Sequence, residues 1–223
     1  MSPLAPLTFV SASLAILAAP WALAAPWLYF ACKPLTTLLI IAHAATRGQA
    51  LPAARAWVLV GLVLSLAGDV ALLWPQQGFL PGLVSFLLAH LAYLRAFTRT
   101  GVRFAARPGP FVGYALLALA VLSQLWAGVP PALRLPVLAY VACLASMAAQ
   151  AAVVARCARD GAAAARGRRL ALGGALFLVS DSLLAIDRFA FALPAAGLWI
   201  LASYWLAQWC IASWLPARTA PQR

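Results

Sequence analysis

The sequence predicts an all-α fold, a polytopic helical bundle in a membrane, and three observations carry that prediction. Of its 223 residues 65% are apolar and 9% charged, with a mean hydropathy of +0.95; soluble domains run near half apolar and a quarter charged. The apolar residues fall in continuous Leu- and Ala-rich runs, close to the roughly 20 residues that cross a bilayer as a helix, and not in the short alternating strands of a barrel. The 16 basic residues, against four acidic ones, give a net charge of +12 and sit mostly between the runs. Membrane topology explains that placement, whereas a nucleic-acid partner would require a solvated basic face.

Taken in order, runs bounded by Pro, Gly and charge predict eight spans, near residues 4–25, 27–45, 56–74, 79–97, 111–128, 134–155, 170–188 and 194–214. They are read as a single integral membrane domain over residues 1–223. The first run ends in Ala22-Leu23-Ala24-Ala25, as a signal peptide does, but no Lys or Arg precedes Lys33. The positive n-region is therefore missing and the run is read as a span. Eight spans place Arg47, Arg55, Arg95, Arg99, Arg103, Arg107, Arg156, Arg159, Arg166, Arg168, Arg169, Arg218 and Arg223 on one side, leaving Lys33, Arg134 and Arg188 on the other. The positive-inside rule then puts both termini in the cytoplasm. One Lys against 15 Arg, with abundant Ala, points to a GC-rich bacterial genome and hence to a bacterial cytoplasmic membrane. The four cysteines, Cys32, Cys143, Cys157 and Cys210, lie far apart with no C-x-x-C spacing, so they read as small apolar fillers and not as zinc ligands or a disulfide framework.

The acids are few and badly placed for a structural protein. Asp160 lies in a basic loop, whereas Asp69, Asp181 and Asp187 fall within or at the edge of spans. A charge at a helix centre in the bilayer costs about 3 kcal/mol on insertion scales, so an intramembrane ionisable group is a functional candidate by default. Given the orientation, Asp69, Asp181 and Lys33 share the outer half of the membrane, with Asp187 and Arg188 at its rim, His90 nearer the middle, and His43 as an interfacial residue at the cytoplasmic end. Gly61, Ser65 and Asp69 follow i, i+4, i+8, a small-residue stripe that lets helices approach and turns the Asp inward. Gly173, Phe177 and Asp181 repeat that spacing. Phe86, His90, Tyr93 and Phe97 make an aromatic face on span four, and Lys33, Thr36 and Thr37 a polar patch on span two. The shared Gly-x7-Asp pattern, in the third span of each half, suggests a 4+4 parallel repeat about an axis along the membrane normal.

No G-x-S-x-G elbow, H-E-x-x-H pair or P-loop occurs, which disfavours the common serine, zinc and nucleotide enzymes. Two histidines on different spans and no glutamate leave few metal ligands, so neither metal nor cofactor is expected. Two buried carboxyls in unlike surroundings, by contrast, divide into an acid and a base at neutral pH. Acid-catalysed hydrolysis through an oxocarbenium-like ion is then accessible.

The stretch GLVLSLAGDVALLWPQQGFLPGLVSFLLAHLAYLRAF from Gly61 to Phe97, and GALFLVSDSLLAIDRF from Gly174 to Phe189, resemble the YhhN family of lysoplasmalogenase-like membrane proteins. Lys33-Pro34 and the segment from Tyr204 to Gln208 resemble it too, so the likeness runs over nearly the whole chain. The resemblance implies an eight-span bundle that hydrolyses the vinyl ether bond of lysoplasmalogens to a fatty aldehyde and a glycerophospho-ethanolamine or -choline. Its partners are then the bilayer and a lysophospholipid. With that reaction in view, Asp69 and Asp181 are the expected acid and base, in an order left open. Lys33, His90, Ser182, Asp187, Arg188, Tyr204 and Gln208 are the expected pocket residues, with the lipid admitted sideways and its head group near Arg188 and Arg134. The alternative is a proton-coupled transporter or lipid carrier using the same Asp, Lys and His groups. Pro75 and Pro194 stand at span ends, so no broken helix supports it. An aspartyl intramembrane protease would need Tyr-Asp and Gly-x-Gly-Asp contexts, where this chain has Ser180-Asp181 and Ala67-Gly68-Asp69.

Overall fold

The structure, a computed structural model, describes residues 4–20, 22–159 and 161–217. Eight α-helices follow one another: α1 Leu4–Ala18, α2 Pro26–Ala45, α3 Pro52–Ala71, α4 Phe79–Thr98, α5 Pro108–Leu125, α6 Pro131–Cys157, α7 Gly161–Phe189 and α8 Ala196–Trp214. One turn of 3₁₀ helix, Trp126–Gly128, joins α5 to the loop before α6, and there is no β-strand among the described residues. Proline opens α2, α3, α5 and α6 within the first turn, where its missing N–H would have had no partner anyway. The chain is an integral multi-pass membrane protein: α2 to α7 are each long and apolar enough to cross a membrane.

The helices match the eight expected spans one for one, with two differences at their ends. α1 has 15 residues and stops at Ala18, so the run expected to 25 breaks into turns whose amides return to carbonyls of Ile16, Leu17, Ala18 and Ala19. Arg166, Arg168 and Arg169, expected in a loop, ride on α7, which begins at Gly161. Asp160, Arg218 and Arg223 lie outside the described residues.

α3 packs along α4 and α7 along α8, α6 lies between α4 and α7, and α2 runs against α1, α3 and α8. The main core draws residues from every helix but α5; Phe97, Phe177, Ile40, Leu170 and Ile211 are fully buried in it. A second, smaller cluster of Leu122, Leu125, Val129 and Val137 ties α5 and α6 to Phe189 at the end of α7. Interhelical hydrogen bonds supplement packing where lipid supplies no hydrophobic drive. Ser11 of α1 meets Thr36 of α2 at 2.9 Å, Ser85 of α4 donates to the Leu64 carbonyl of α3 at 2.7 Å, and Ser180 of α7 donates to the Ile200 carbonyl of α8 at 3.1 Å.

At the end of the bundle where α2 gives way to α3, the turn at Gly48 has φ +76°, a conformation that favours glycine, and its N–H reaches the Pro216 carbonyl at 2.8 Å. Arg47 and Arg169 donate to the Ser213 carbonyl, and Arg47 also to that of Leu215, so cations satisfy the orphan carbonyls ending α8. His43 is 3% exposed, stacked 4.1 Å from Trp209 and 3.0 Å from the Ser213 hydroxyl. It is thus packed inside the bundle at that end.

Two glycines of the α5 region separate tight packing from free surface. A Cβ at Gly128 would run into the backbone carbonyl of Phe189, whereas one at Gly113 would meet nothing within 4 Å. Gly128→Ala should lower stability by about 1–3 kcal/mol, since a backbone carbonyl has little room to yield. Gly113→Ala should be neutral, or more stable by about 1 kcal/mol through helix propensity. Thermal unfolding of both variants in the same detergent checks the pair.

Candidate active site

Burial decides what the sequence left open, namely whether the carboxyls on α3 and α7 meet. They do: a cavity of 220 Å³ opens at the end of the bundle where α2, α4 and α8 begin and α3 and α7 finish, and Asp69 and Asp181 both line it. Lys33 joins them from α2, Tyr204 from α8, and Asp187 and Arg188 from the end of α7. The close approach of α3 to α4 depends on Gly68, where a Cβ would come within 2.6 Å of the Phe86 ring. Phe86 in turn stands edge-on to Tyr204, with centroids 5.8 Å apart, and both rings line the cavity.

Asp69 is 2% exposed and Lys33 4%, so neither charge has bulk water to stabilise it, and the two lie within Coulombic reach of one another. Two hydroxyls complete the surroundings of the carboxylate: Thr37 donates to Asp69 Oδ2 at 2.6 Å and Tyr204 to the same oxygen at 2.8 Å. Thr37 can donate because its own oxygen is supplied by the Trp205 indole N–H at 3.3 Å. Charge-assisted bonds of this length are the stronger kind, and here they join α2, α3 and α8 at one atom.

Asp181 has a leaner setting. Tyr140 of α6 donates to its Oδ2 at 2.6 Å, and His90 Nε2 of α4 stands 3.7 Å from that oxygen, beyond hydrogen-bond distance. Neither ring nitrogen of His90 has a hydrogen-bond partner among the described residues; the ring packs edge-on against Phe177 at 4.6 Å and Tyr140 at 5.3 Å. His90 and Gln208 are both fully buried and stand one layer behind the cavity wall. Gln208 Oε1 accepts from Tyr93 at 2.7 Å. With that hydroxyl proton committed, Ser65, 3.3 Å from the Tyr93 oxygen, is the donor between them.

The remaining expected residues spread along the rim. Asp187 Oδ1 accepts from the Leu193 N–H at 2.8 Å, pinning the α7–α8 turn, and Arg188 lies over the Phe79 ring, 4.9 Å from its centroid. Ser182 faces away from the polar cavity into an apolar cleft of 80 Å³. Arg134 sits over Trp126, 5.1 Å from its centroid, and lines neither space. Thr36, expected beside Lys33, turns to Ser11 of α1. Two further hydroxyls touch the carboxyls: Thr37, expected only as part of the polar patch on span two, and Tyr140, which the sequence does not single out because a lone tyrosine in an apolar helix carries no signal of its partner.

Comparison with known proteins places the chain in a family. The YhhN family matches residues 28–215, from the start of α2 to the end of α8. The chain belongs to the YhhN family. Among related proteins of this kind it is similar to lysoplasmalogenase TMEM86B of Rattus norvegicus, 33% identical over 178 residues, which are 79% of this chain and 67% of that protein. It is also similar to lysoplasmalogenase TMEM86A of Homo sapiens, 34% identical over 81% of this chain and 74% of the other. A lysoplasmalogenase of Mycobacterium tuberculosis is 28% identical over 77% of this chain and 65% of its own length. No solved structure matches. Every residue that lines the polar cavity falls inside the YhhN match.

Replacing Thr37 by Val removes a donor to Asp69 and orphans the Trp205 indole N–H. A buried polar group without a partner costs about 1–3 kcal/mol, so Thr37→Val should lower the unfolding temperature in detergent clearly more than Thr36→Val. The latter severs the link to Ser11 and the bond from Thr36 to the Cys32 carbonyl, but leaves no group orphaned, because the Ser11 hydroxyl still donates to that carbonyl at 3.2 Å. Equal losses would show that the Asp69 surroundings contribute nothing special to stability.

Proposed function

We propose that this YhhN-family protein is a lysoplasmalogenase: it hydrolyses the vinyl ether bond of a lysophospholipid to a fatty aldehyde and a glycerophospho-ethanolamine or -choline, with Asp69 and Asp181 as the acid and base. The observation that carries the reading is the convergence of two carboxyls from separate helices on one cavity that also holds a buried ammonium. The names of its relatives support it.

Vinyl ether hydrolysis needs few groups. A carboxylic acid transfers its proton to the alkenyl carbon remote from oxygen, and the π pair forms the new C–H bond. The adjacent carbon becomes an oxocarbenium centre, which a nearby carboxylate stabilises. That carboxylate takes a proton from water as the water oxygen bonds to the cation, giving a hemiacetal. The C–O bond to glycerol then breaks, its electron pair leaving on the glycerol oxygen, which takes up the proton that the hemiacetal hydroxyl loses as it becomes the aldehyde carbonyl. Passing the proton from base to acid restores the starting state, with one water consumed. No nucleophilic serine or thiol is needed.

Lys33 suits the lipid phosphate or the charge of Asp69, and Arg188 at the rim suits the phosphate of a head group at the membrane surface. Both termini are cytoplasmic in this reading, because the Arg-rich ends of α2, α4 and α6 lie opposite the cavity. The site therefore faces the outer leaflet of a bacterial cytoplasmic membrane. His90, Tyr140 and Gln208 position the groups in front of them.

Purified protein in detergent should release fatty aldehyde from a vinyl ether lysophospholipid. Asp69→Asn and Asp181→Asn, retaining the parental elution profile, should each lose at least about a hundredfold, the lower range for a general acid or base. A folded parent that releases no aldehyde overturns the proposed activity; a folded Asn variant that keeps parental turnover removes that Asp from the mechanism. Lys33→Gln should raise KM for the phosphate-bearing lipid more than it lowers kcat if its main contact is the head group.

A further inference from the structure

The apolar cleft that receives Ser182 adjoins the polar cavity: Leu72, Phe79, Phe86, Asp181 and Leu184 line both. Asp181 is the one titratable residue common to the two linings, and Asp69 faces the polar space alone. Apart from Asp181, Ser182 and the Tyr140 phenol the cleft is lined by hydrocarbon, with α5 and α6 bounding it through Ala118, Leu122 and Val137. It follows the seam between the main core and the small α5–α6 cluster, and α5 rests mainly on α6 with light contact to α7. A cationic and carboxylate chamber joined to a hydrocarbon slot has the polarity of a single-chain amphiphile, with its boundary at Asp181.

Resting on the hydrolase reading, we infer that this cleft seats the start of the alkenyl chain and thereby makes Asp181 the acid that protonates carbon, with Asp69 the group that stabilises the cation and takes the proton of water. The carbon that receives the proton is on the chain side of the vinyl ether and the oxygen on the head-group side. A lipid whose chain lies in the cleft and whose phosphate lies toward Lys33 and Arg188 presents that carbon to Asp181 and the oxygen to the chamber of Asp69. Asp69, with two hydroxyl donors and a buried ammonium nearby, is supplied with the partners of a standing anion. At 80 Å³, and at the roughly 10–15 Å³ of such space that one water needs, the cleft holds on the order of half a dozen chain carbons. The remainder of the chain passes beside α5 into the bilayer.

The test uses the full chain in nanodiscs and two substrates with the same head group, one a long-chain vinyl ether lysophosphocholine and the other its ethenyl ether, which has no chain beyond the double bond. Ala118→Phe fills the cleft; Leu116→Phe, on the exposed face of α5, is the control. Ala118→Phe should lower kcat/KM for the long-chain lipid at least about tenfold, the scale of a misfitted apolar pocket, and leave the ethenyl ether within about twofold. The control should change neither. Equal loss on both substrates, or no loss on either, overturns the chain seat. If the parent cleaves neither substrate, the hydrolase reading fails separately, and displacement of a fluorescent lysolipid by a saturated ether lysophosphocholine decides the seat, which stands only if Ala118→Phe weakens that competition and Leu116→Phe does not.

Azide separates the carboxyl roles. In Asp69→Ala it should capture the oxocarbenium carbon and restore consumption of the lipid as an α-azido ether. In Asp181→Ala no cation forms, so it should restore nothing. Should Ala at either position fail to fold, the Asn variants give the same comparison. Rescue of the Asp181 variant alone reverses the assignment.

Discussion

The bundle at this end is organised around one buried carboxylate. A charge at such depth persists only if partners replace water, and Asp69 of α3 draws them from two other helices: an ammonium and a hydroxyl from α2 and a phenol from α8. α2 and α8 are distant in sequence, yet they must lie side by side for Thr37 and Tyr204 to reach the same oxygen. The Trp205 indole, donating to Thr37, makes that neighbour relation a chain of hydrogen bonds. Removing any member would leave a charge or a donor unsatisfied in a medium that cannot supply a substitute.

The consequence for packing is that small residues are placed where polar ones must converge. Gly68 lets α4 bring Phe86 against α3 beside Asp69, and Gly173 meets Ile211 and the Ala207 carbonyl of α8 at 3.0 and 3.1 Å if given a Cβ. Those approaches put Phe86 and Phe177 each edge-on to Tyr204. They wall the carboxyls from the lower bundle, where Tyr93, Ser65 and Gln208 form a separate buried set.

The fold was legible because apolar runs of helical length, punctuated by Pro and Arg, leave few alternatives. The carboxyls were legible for a related reason: an Asp in a run of Leu and Ala is costly enough to need a purpose. What could not be read was partnership. Thr37 and Tyr140 are ordinary residues of apolar helices, and they matter only because α2 borders α3 and α6 borders α7 with particular faces turned inward. The same limit explains His90 and Gln208, which composition marks as exceptional but which stand behind the wall that Tyr140 and Tyr204 form. Helix ends were missed where lengths depart from the bilayer standard: α1 stops after 15 residues, and α7 carries three arginines past the apolar run.

The suggested halves bear on how two like residues come to do unlike work. On a four-plus-four correspondence α2 answers to α6, α3 to α7 and α4 to α8. In the structure α2 meets α3 and α8, while α6 meets α7 and α4. Asp69 is then reached from α2 and α8, by Thr37 and Tyr204, and Asp181 from α6 and α4, by Tyr140 and His90. Symmetry of position would give the two carboxyls equivalent surroundings, and nothing in the scaffold would then decide which is acid and which is base. The side chains break it. One carboxylate has two hydroxyl donors and an ammonium; the other has one phenol, an imidazole held beyond hydrogen-bond distance, and an apolar cleft at its back. The unlike partners of the two carboxyls supply the asymmetry on which the proposed acid–base chemistry rests.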